Sequence, residues 1–154
     1  MTPVWRIVKK SQQGEAFTGE GARRYGGRWN QRGTAVVYAA DSLALAALEY
    51  FVHLGPAMAS VELVSFRAEI PPRVAIRSLP RETLPANWRT EPPPPVTRAM
   101  GSDWAGEGGT AVLKVPSALI LTQHNFILNP NHPDFPRIRI SKPRPFRFDS
   151  RMWK

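Results

Sequence analysis

Short runs of bulky apolar residues, many of them β-branched, recur along the chain and predict short strands. Proline pairs and glycine-rich stretches separate these runs, and proline cannot donate a hydrogen bond to a neighbouring strand. The runs predict strands at residues 4–8, 34–39, 60–70, 110–115, 119–122, 125–128 and 138–140.

Helical patterns are fewer. Residues 42–54 are apolar nearly all round and predict a largely buried helix, capped by Asp41 or Ser42. Residues 96–105 predict a second, short helix. Residues 11–33 look like a long loop, and residues 80–95, with six prolines, like a surface excursion that is partly polyproline II. Together these patterns predict one α+β domain over residues 1–154, with a mixed or antiparallel sheet and few helices.

One carboxylate interrupts the apolar helix. Glu49 is the only acidic residue of 42–54, and it lies on a row that should pack against the core. Burying an unpaired carboxylate costs several kcal/mol, roughly, so Glu49 needs a cationic or hydrogen-bonding partner. It is therefore either a member of a structural ion pair or a reactive carboxylate in the wall of a cleft.

The segment 19–30, Gly-Glu-Gly-Ala-Arg-Arg-Tyr-Gly-Gly-Arg-Trp-Asn, combines groups that suit a nucleotide. Its glycines allow close approach of the backbone to a ligand, its arginines offer forked donors for phosphate, and Tyr25 and Trp29 offer flat faces for a ring. It matches neither a P-loop nor a dinucleotide fingerprint. An ordinary glycine-rich loop with solvated arginines is the alternative.

Three further residues have two readings each. Tyr38 could fill the core or stack on an aromatic ligand, and Arg6, within an apolar strand, must face solvent or a cleft. Ser117 has no base beside it in sequence, so we expect it to form hydrogen bonds and not to act as a nucleophile.

Composition narrows the function classes. The absence of cysteine excludes disulfides and thiolate catalysis, and the three histidines do not have a metal-binding spacing. We see neither a secretory signal nor a transmembrane stretch, and we expect a cytoplasmic protein without a membrane partner. The formal net charge of +9 favours an anionic partner, whether nucleic acid, a phosphorylated small molecule or an acidic protein. The basic tail from Arg137 to Lys154 is typical of an edge strand with outward charges.

The order of these residues resembles the RES-domain toxins. The resemblance rests on residues 17–30, on Val36-Val37-Tyr38-Ala39, on Ala46-Ala47-Leu48-Glu49, on Val115-Pro116-Ser117 and on 128–133. It implies a fold similar to ADP-ribosyltransferase toxins and an enzyme that consumes NAD as a substrate, without a metal. It also implies a cognate antitoxin with a helix-turn-helix DNA-binding domain.

The resemblance assigns roles to residues as well. It implies that Arg28, Tyr38 and Glu49 are catalytic, and that Arg6, Arg28, Tyr38 and Ser117 contact NAD. Cleavage of the nicotinamide–ribose bond leaves a ribosyl oxocarbenium ion, which one carboxylate can stabilise because nicotinamide departs neutral. Water, phosphate or a host protein could then accept the ADP-ribose.

Two other functions remain open from the residues alone. The charge and the basic tail suit an RNA-binding protein or ribonuclease, although the resemblance leads us to expect no direct binding of nucleic acid. The proline-rich excursion suits a non-enzymatic interaction module.

Overall fold

The computed structural model describes residues 1–55 and 60–153, which contain eight strands and three α-helices. The helices are α1 (Glu20–Tyr25), α2 (Leu43–Phe51) and α3 (Pro95–Glu107). The strands are β1 (Thr2–Lys9), β2 (Val37–Ala40), β3 (Leu63–Ile70), β4 (Ile76–Ser78), β5 (Val112–Pro116), β6 (His124–Leu128), β7 (Arg139–Ile140) and β8 (Arg144–Phe146).

All eight strands join one sheet in the order β4-β5-β6-β2-β1-β3-β7, and β8 also pairs with β3. The β4–β5 pair is parallel and every other pair is antiparallel, so the sheet is mixed. With three helices beside it, the predicted α+β class is confirmed. The central strands β1, β2 and β6 come from both halves of the chain, and this arrangement brings distant segments of the sequence together.

Side chains alternate between the two faces of the sheet along each strand, and packed residues cover both faces. Leu113, Val115 and Ile127 face one side and pack with the buried indoles of Trp29, Trp88 and Trp104. Their neighbours Val112, Phe126 and Leu128 face the other side and pack with β1 and β3. A third cluster packs α2 against the end of β1 through Leu45, Ile7 and Leu63.

One predicted loop and one predicted strand are wrong. Residues 11–33 are not one long loop, since they contain most of a 3₁₀ helix at Lys10–Glu15 and all of α1. Residues 119–122 do not form a strand. Ser117 accepts hydrogen bonds from the backbone N–H groups of Leu119 and Ile120 and holds this segment as a turn. These local hydrogen bonds to Ser117 favour a turn, although the apolar composition of the segment favours a strand.

Helix α2 is shorter and more exposed than its composition predicts. The Ser42 hydroxyl caps it by accepting from the backbone N–H of Leu45 at 3.0 Å, as one of the two predicted caps. Only Leu45 and Ala46 are fully buried within it, whereas Leu48 is 39% exposed and the following Val52 is 57% exposed. The all-apolar pattern therefore overstated the burial of this segment: Val52 lines a cleft, and Leu48 is exposed outside it.

The sequence patterns also missed two strands. β4 and β8 are three residues each, too short for a distinct pattern. β7 and β8 both pair with the outer side of β3, and Arg139 and Arg144 on them are exposed, which fits the edge-strand interpretation of the basic tail. Lys154 at the end of that tail lies outside the described residues. Of the helices in the described ranges, none is long and apolar enough to cross a membrane.

Candidate active-site cleft

An open cleft of about 790 Å³ lies where β1 and β2 meet α2, the segment 26–29 and the segment 88–98. This volume is within the range of small-molecule sites. Four of the five sequence-predicted site residues line it: Arg6, Arg28, Tyr38 and Glu49. The fifth, Ser117, is fully buried behind Glu49. The structure thus brings the predicted residues together, and their contacts with NAD stay a prediction.

Glu49 is held by two neutral donors. It lies two turns into α2, and its Oε1 accepts a hydrogen bond from Asn125 Nδ2 at 2.7 Å. Its Oε2 accepts from the Ser117 hydroxyl at 3.1 Å. Asn125 opposes Ala40 across the β2–β6 pair, so it lies at the point where the chain leaves β2 towards α2. No basic residue in the described part of the chain forms a salt bridge with Glu49.

The electrostatics of Glu49 follow from this setting. Burial raises its pKa above the ordinary value, and the nearby negative charge of Asp41 acts in the same direction. The hydrogen bonds from Asn125 and Ser117 oppose that rise, because they stabilise the ionised form. The carboxylate is therefore oriented by donors that leave its negative charge uncompensated. This contradicts the structural ion pair and supports the interpretation of Glu49 as a cleft carboxylate.

Tyr38 is part of the core and of the cleft wall at once. Its hydroxyl donates to Asn30 Oδ1 at 2.6 Å and accepts from the backbone N–H of Trp29 at 3.0 Å. Burial raises the pKa of this phenol further above its ordinary value. A Cβ added to Gly27 would come within 2.7 Å of the Tyr38 hydroxyl, so the ring needs glycine at that position. With its hydroxyl fixed, Tyr38 can offer only its ring to a ligand.

Arg6 faces the cleft from β1, and not the solvent. Its Nε donates to the carbonyl of Ala16 at 2.7 Å, and its Nη1 donates to the carbonyl of Tyr38 at 2.9 Å. Burial lowers its pKa to about 10, and the neighbouring Tyr50 opposes that fall. Arg6 remains a cation at neutral pH, and it adds positive potential to a cleft wall that also carries Tyr38.

The Arg28 guanidinium forms hydrogen bonds to two backbone carbonyls and to one carboxylate of the protein. Its Nη1 donates to the carbonyls of Trp88 at 2.8 Å and Thr90 at 2.9 Å, and its Nη2 donates to Glu91 at 3.1 Å. Burial lowers its pKa, Glu91 opposes that change, and the positive charges of Arg89 and Arg98 reinforce it. Three of its five N–H groups therefore already have partners within the protein, and two remain for a ligand.

The sequence patterns missed several lining residues. Asn125 looked like the first residue of a strand, and Arg89, Glu91 and Arg98 belonged to the proline-rich excursion and the short helix after it. Only the arginines could have been found from the sequence, because they are cations on either side of a run of prolines. Among the described residues, no group of three or more His, Cys, Asp and Glu side chains could hold a metal ion.

Known proteins match this sequence over nearly the whole chain. A family model described as the RES domain matches residues 3–149. A protein named Toxin Res from Yersinia enterocolitica is 37% identical over 150 residues, which cover 97% of this chain and 98% of that relative. A protein named Prs ADP-ribosylating toxin, from Sphingobium sp. (strain YBL2), is 39% identical over 155 residues, which cover 98% and 96% of the two chains.

A solved structure supports the fold. One chain of the crystal structure of the M. tuberculosis MbcT–MbcA toxin–antitoxin complex superposes with a TM-score of 0.75, over 94% of this chain and 84% of that one. Its sequence identity is 18%, so this likeness concerns the fold alone. The family match and the two sequence relatives carry the assignment, and the chain belongs to the RES-domain family.

Proposed function

We propose that this protein is the toxin of a type II toxin–antitoxin pair, a cytoplasmic enzyme that cleaves NAD at the nicotinamide–ribose bond and depletes it. Three lines of support converge. The sequence relatives are named as toxins, at 36–37% identity in two cases. The cleft has the volume for a small ligand and is lined by Arg6, Arg28 and Tyr38. A single oriented carboxylate, Glu49, lies in its wall.

The observation that carries the proposal is the set of partners of Glu49. Asn125 and Ser117 orient both carboxylate oxygens through neutral hydrogen bonds. When the C–N bond to nicotinamide breaks, its electron pair leaves with the neutral pyridine and positive charge develops on the ribose. A fixed carboxylate stabilises that charge without reorganisation at the moment of reaction. Water then adds at the ribose carbon and loses a proton, which gives ADP-ribose.

The other lining residues bind and orient the substrate in this mechanism. The Tyr38 ring, fixed through its hydroxyl, stacks on the nicotinamide or ribose portion. Arg28 contacts the pyrophosphate with the two N–H groups that neither the backbone nor Glu91 uses. Arg6 contributes positive charge from the adjacent strand. Ser117 acts on the substrate only through Glu49, which differs from the direct contact that the resemblance implies.

Nicotinamide release from NAD tests the proposal. Purified protein is incubated with NAD in water, with inorganic phosphate and with a cell lysate, and free nicotinamide is followed by chromatography. We expect release by the parent protein and a large loss in the Glu49→Gln variant. No release under any of the three conditions overturns the proposal.

Transfer of ADP-ribose to a protein is the second candidate, and the relative named Prs ADP-ribosylating toxin favours it. Both reactions share the same bond cleavage and differ only in the acceptor. Mass spectrometry of a lysate treated with NAD and the protein distinguishes them. Free ADP-ribose or its phosphate indicates depletion, whereas a mass increment on one defined protein indicates transfer.

The antitoxin is part of the same proposal. The chain that superposes on this one comes from a toxin–antitoxin complex. We propose that a cognate antitoxin with a helix-turn-helix domain covers the cleft and competes with NAD, since the charge of +9 suits an acidic or carboxylate-bearing segment. A structure of the complex with the cleft fully open contradicts this.

A further inference from the structure

The segment 88–98, here named the strap, forms one wall of the cleft through Arg89, Glu91, Pro93 and Arg98. Arg28 holds its beginning by donating to the carbonyls of Trp88 and Thr90. The Trp88 indole is buried beside Trp29, with ring centroids 6.4 Å apart. Arg89 is itself tied down, because its Nε donates to the carbonyl of Ala118 at 3.0 Å. The strap is therefore a fixed part of the cleft and not a loose excursion.

The strap ends in the first turn of α3, which is also fixed. Gly101 packs so closely on residue 29 that an added Cβ would lie 1.7 Å from the Trp29 carbonyl oxygen. The Thr97 hydroxyl is fully buried and donates to the carbonyl of Pro94 at 3.1 Å. Arg98 follows directly, so its backbone is held on both sides.

Arg98 differs from the other arginines of the cleft in its partners. Its Nε is buried and has no hydrogen-bond partner among the residues that the structure describes. Arg6, Arg28 and Arg89 all donate to backbone carbonyls. A buried donor without a partner is costly, and such a group in a native protein calls for a ligand or another explanation. The first turn of α3 adds positive potential, and it has no side-chain cap.

We propose that Arg98 is a second phosphate-binding residue of the cleft, and that Arg28 serves mainly as the anchor that holds the strap and Arg98 in place. This inference rests on the proposed function for the identity of the substrate. It concerns a pyrophosphate group, which any nucleoside diphosphate carries. Arg28 has two N–H groups to spare, and Arg98 lines the cleft without a salt bridge to any described residue, so the two guanidiniums together can hold two phosphates.

The contribution of Arg98 can be measured without turnover. ADP carries the pyrophosphate and adenosine does not, so we would titrate both into the parent protein and the Arg98→Gln variant by calorimetry. Loss of a charged hydrogen bond predicts at least a tenfold weaker Kd for ADP and an unchanged Kd for adenosine. Arg81→Gln is the matched control, because Arg81 is exposed in the same connecting segment, lies outside the cleft and carries the same charge.

The outcomes separate this inference from the proposed function. An unchanged ADP affinity in Arg98→Gln, an equal loss in Arg81→Gln, or no ADP binding by the parent protein overturns the role of Arg98, whatever happens to NAD. If the parent releases no nicotinamide but Arg98→Gln still loses ADP selectively, the proposed function fails and the phosphate site stands. If Arg98→Gln does not fold by thermal melting, Arg98→Lys replaces it, with an expected loss of about threefold because the forked geometry is missing. Parent-like ADP affinity in Arg98→Lys then overturns the inference.

Discussion

Two regions of the cleft are built in different ways. Around Glu49, side chains of α2, β6 and the turn after β5 bond to one another, and Ser117 is fully buried. Around the strap, guanidiniums bond to backbone carbonyls, and the partner of Arg28 at the rim, Glu91, is 69% exposed. The first region is an extension of the core, whereas the second is a surface segment fastened by arginines.

The difference indicates a division of labour. A reacting bond needs a carboxylate whose position and charge do not vary, and buried neutral donors provide both. Phosphates need several donors around a rim that the ligand can enter, and a fastened segment provides them. Substitutions near Glu49 should therefore change the rate constant, and substitutions in the strap should change affinity. Substitutions in each region can test that separation.

Glu49→Gln should have the largest effect on catalysis. The amide keeps the size of the side chain but cannot offset the charge on the ribose. We expect nicotinamide release to fall on the order of 10²–10³-fold, while NAD still binds. Turnover at the parent rate assigns the chemistry to another residue.

The stability of the same variant is an independent readout. The folded pKa of Glu49 is raised above the ordinary 4.5, so the native state binds this proton more tightly than the unfolded chain does. The contribution of Glu49 to stability is therefore greatest below the unfolded pKa and declines as the pH rises through the folded pKa. Glu49→Gln removes that decline, and its Tm relative to the parent should improve between acidic and neutral pH. Unfolding of the variant at neutral pH contradicts this account.

Arg28→Lys should come next, and its effect should fall mainly on binding. Lysine keeps the charge but cannot donate to two carbonyls, to Glu91 and to a phosphate in the same planar geometry. We expect KM for NAD to rise about tenfold, with a smaller loss in kcat, as the loss of one or two charged hydrogen bonds implies. A loosened strap should also be cleaved faster by a protease between residues 88 and 94. A parent-like KM together with parent-like proteolysis contradicts both roles of Arg28.

The contrast between the regions also explains what the sequence could predict. The region around Glu49 depends on one strong helix pattern and a cap, and Ser42 and Glu49 are both visible in sequence. Arg28, in contrast, donates hydrogen bonds to the carbonyls of residues 60 and 62 positions further along the chain. No local sequence pattern predicts such a contact. The partners of Glu49 were hidden for the same reason, since Asn125 reaches it only through the pairing of β2 with β6.

The strands show the same limit. The long apolar runs predicted β1 and β3 to within three residues at each end, because their burial dominates the local pattern. The short apolar segment 119–122 was wrongly predicted as a strand, since the bonds from its backbone to Ser117 were not visible in the composition. Residue types thus predicted four of the side chains that line the cleft, but not the segments that form its other wall.

Asn125→Ala should shift the acid limb of the pH profile. The hydrogen bond from Asn125 lowers the pKa of Glu49 against the effect of burial, so its removal should raise that pKa further. Because the proposed mechanism uses the ionised form, the rate should begin to fall at a higher pH than in the parent. We expect the whole acid limb to move to higher pH than in the parent, because the lost hydrogen bond had stabilised the ionised form. The profile of kcat/KM against pH measures it, because kcat/KM reports ionisations of the free enzyme, and an unshifted limb shows that Asn125 does not control this ionisation.

Glu91→Gln should have the smallest effect, and its sign is the informative part. Glu91 pairs with Arg28 at the rim of the cleft, where exposed ion pairs contribute about 0–1 kcal/mol, so the Tm should hardly change. Its negative charge repels an incoming pyrophosphate, and its removal should lower KM for NAD about twofold, because surface charges interact weakly through water. Screening predicts that this gain shrinks as salt rises from 50 mM to several hundred millimolar, approximately. Glu82→Gln, an exposed residue outside the cleft, is the control for net charge. A raised KM in Glu91→Gln at every salt concentration shows instead that Glu91 positions Arg28 for the ligand, and the strap region then resembles the Glu49 region more closely than we propose.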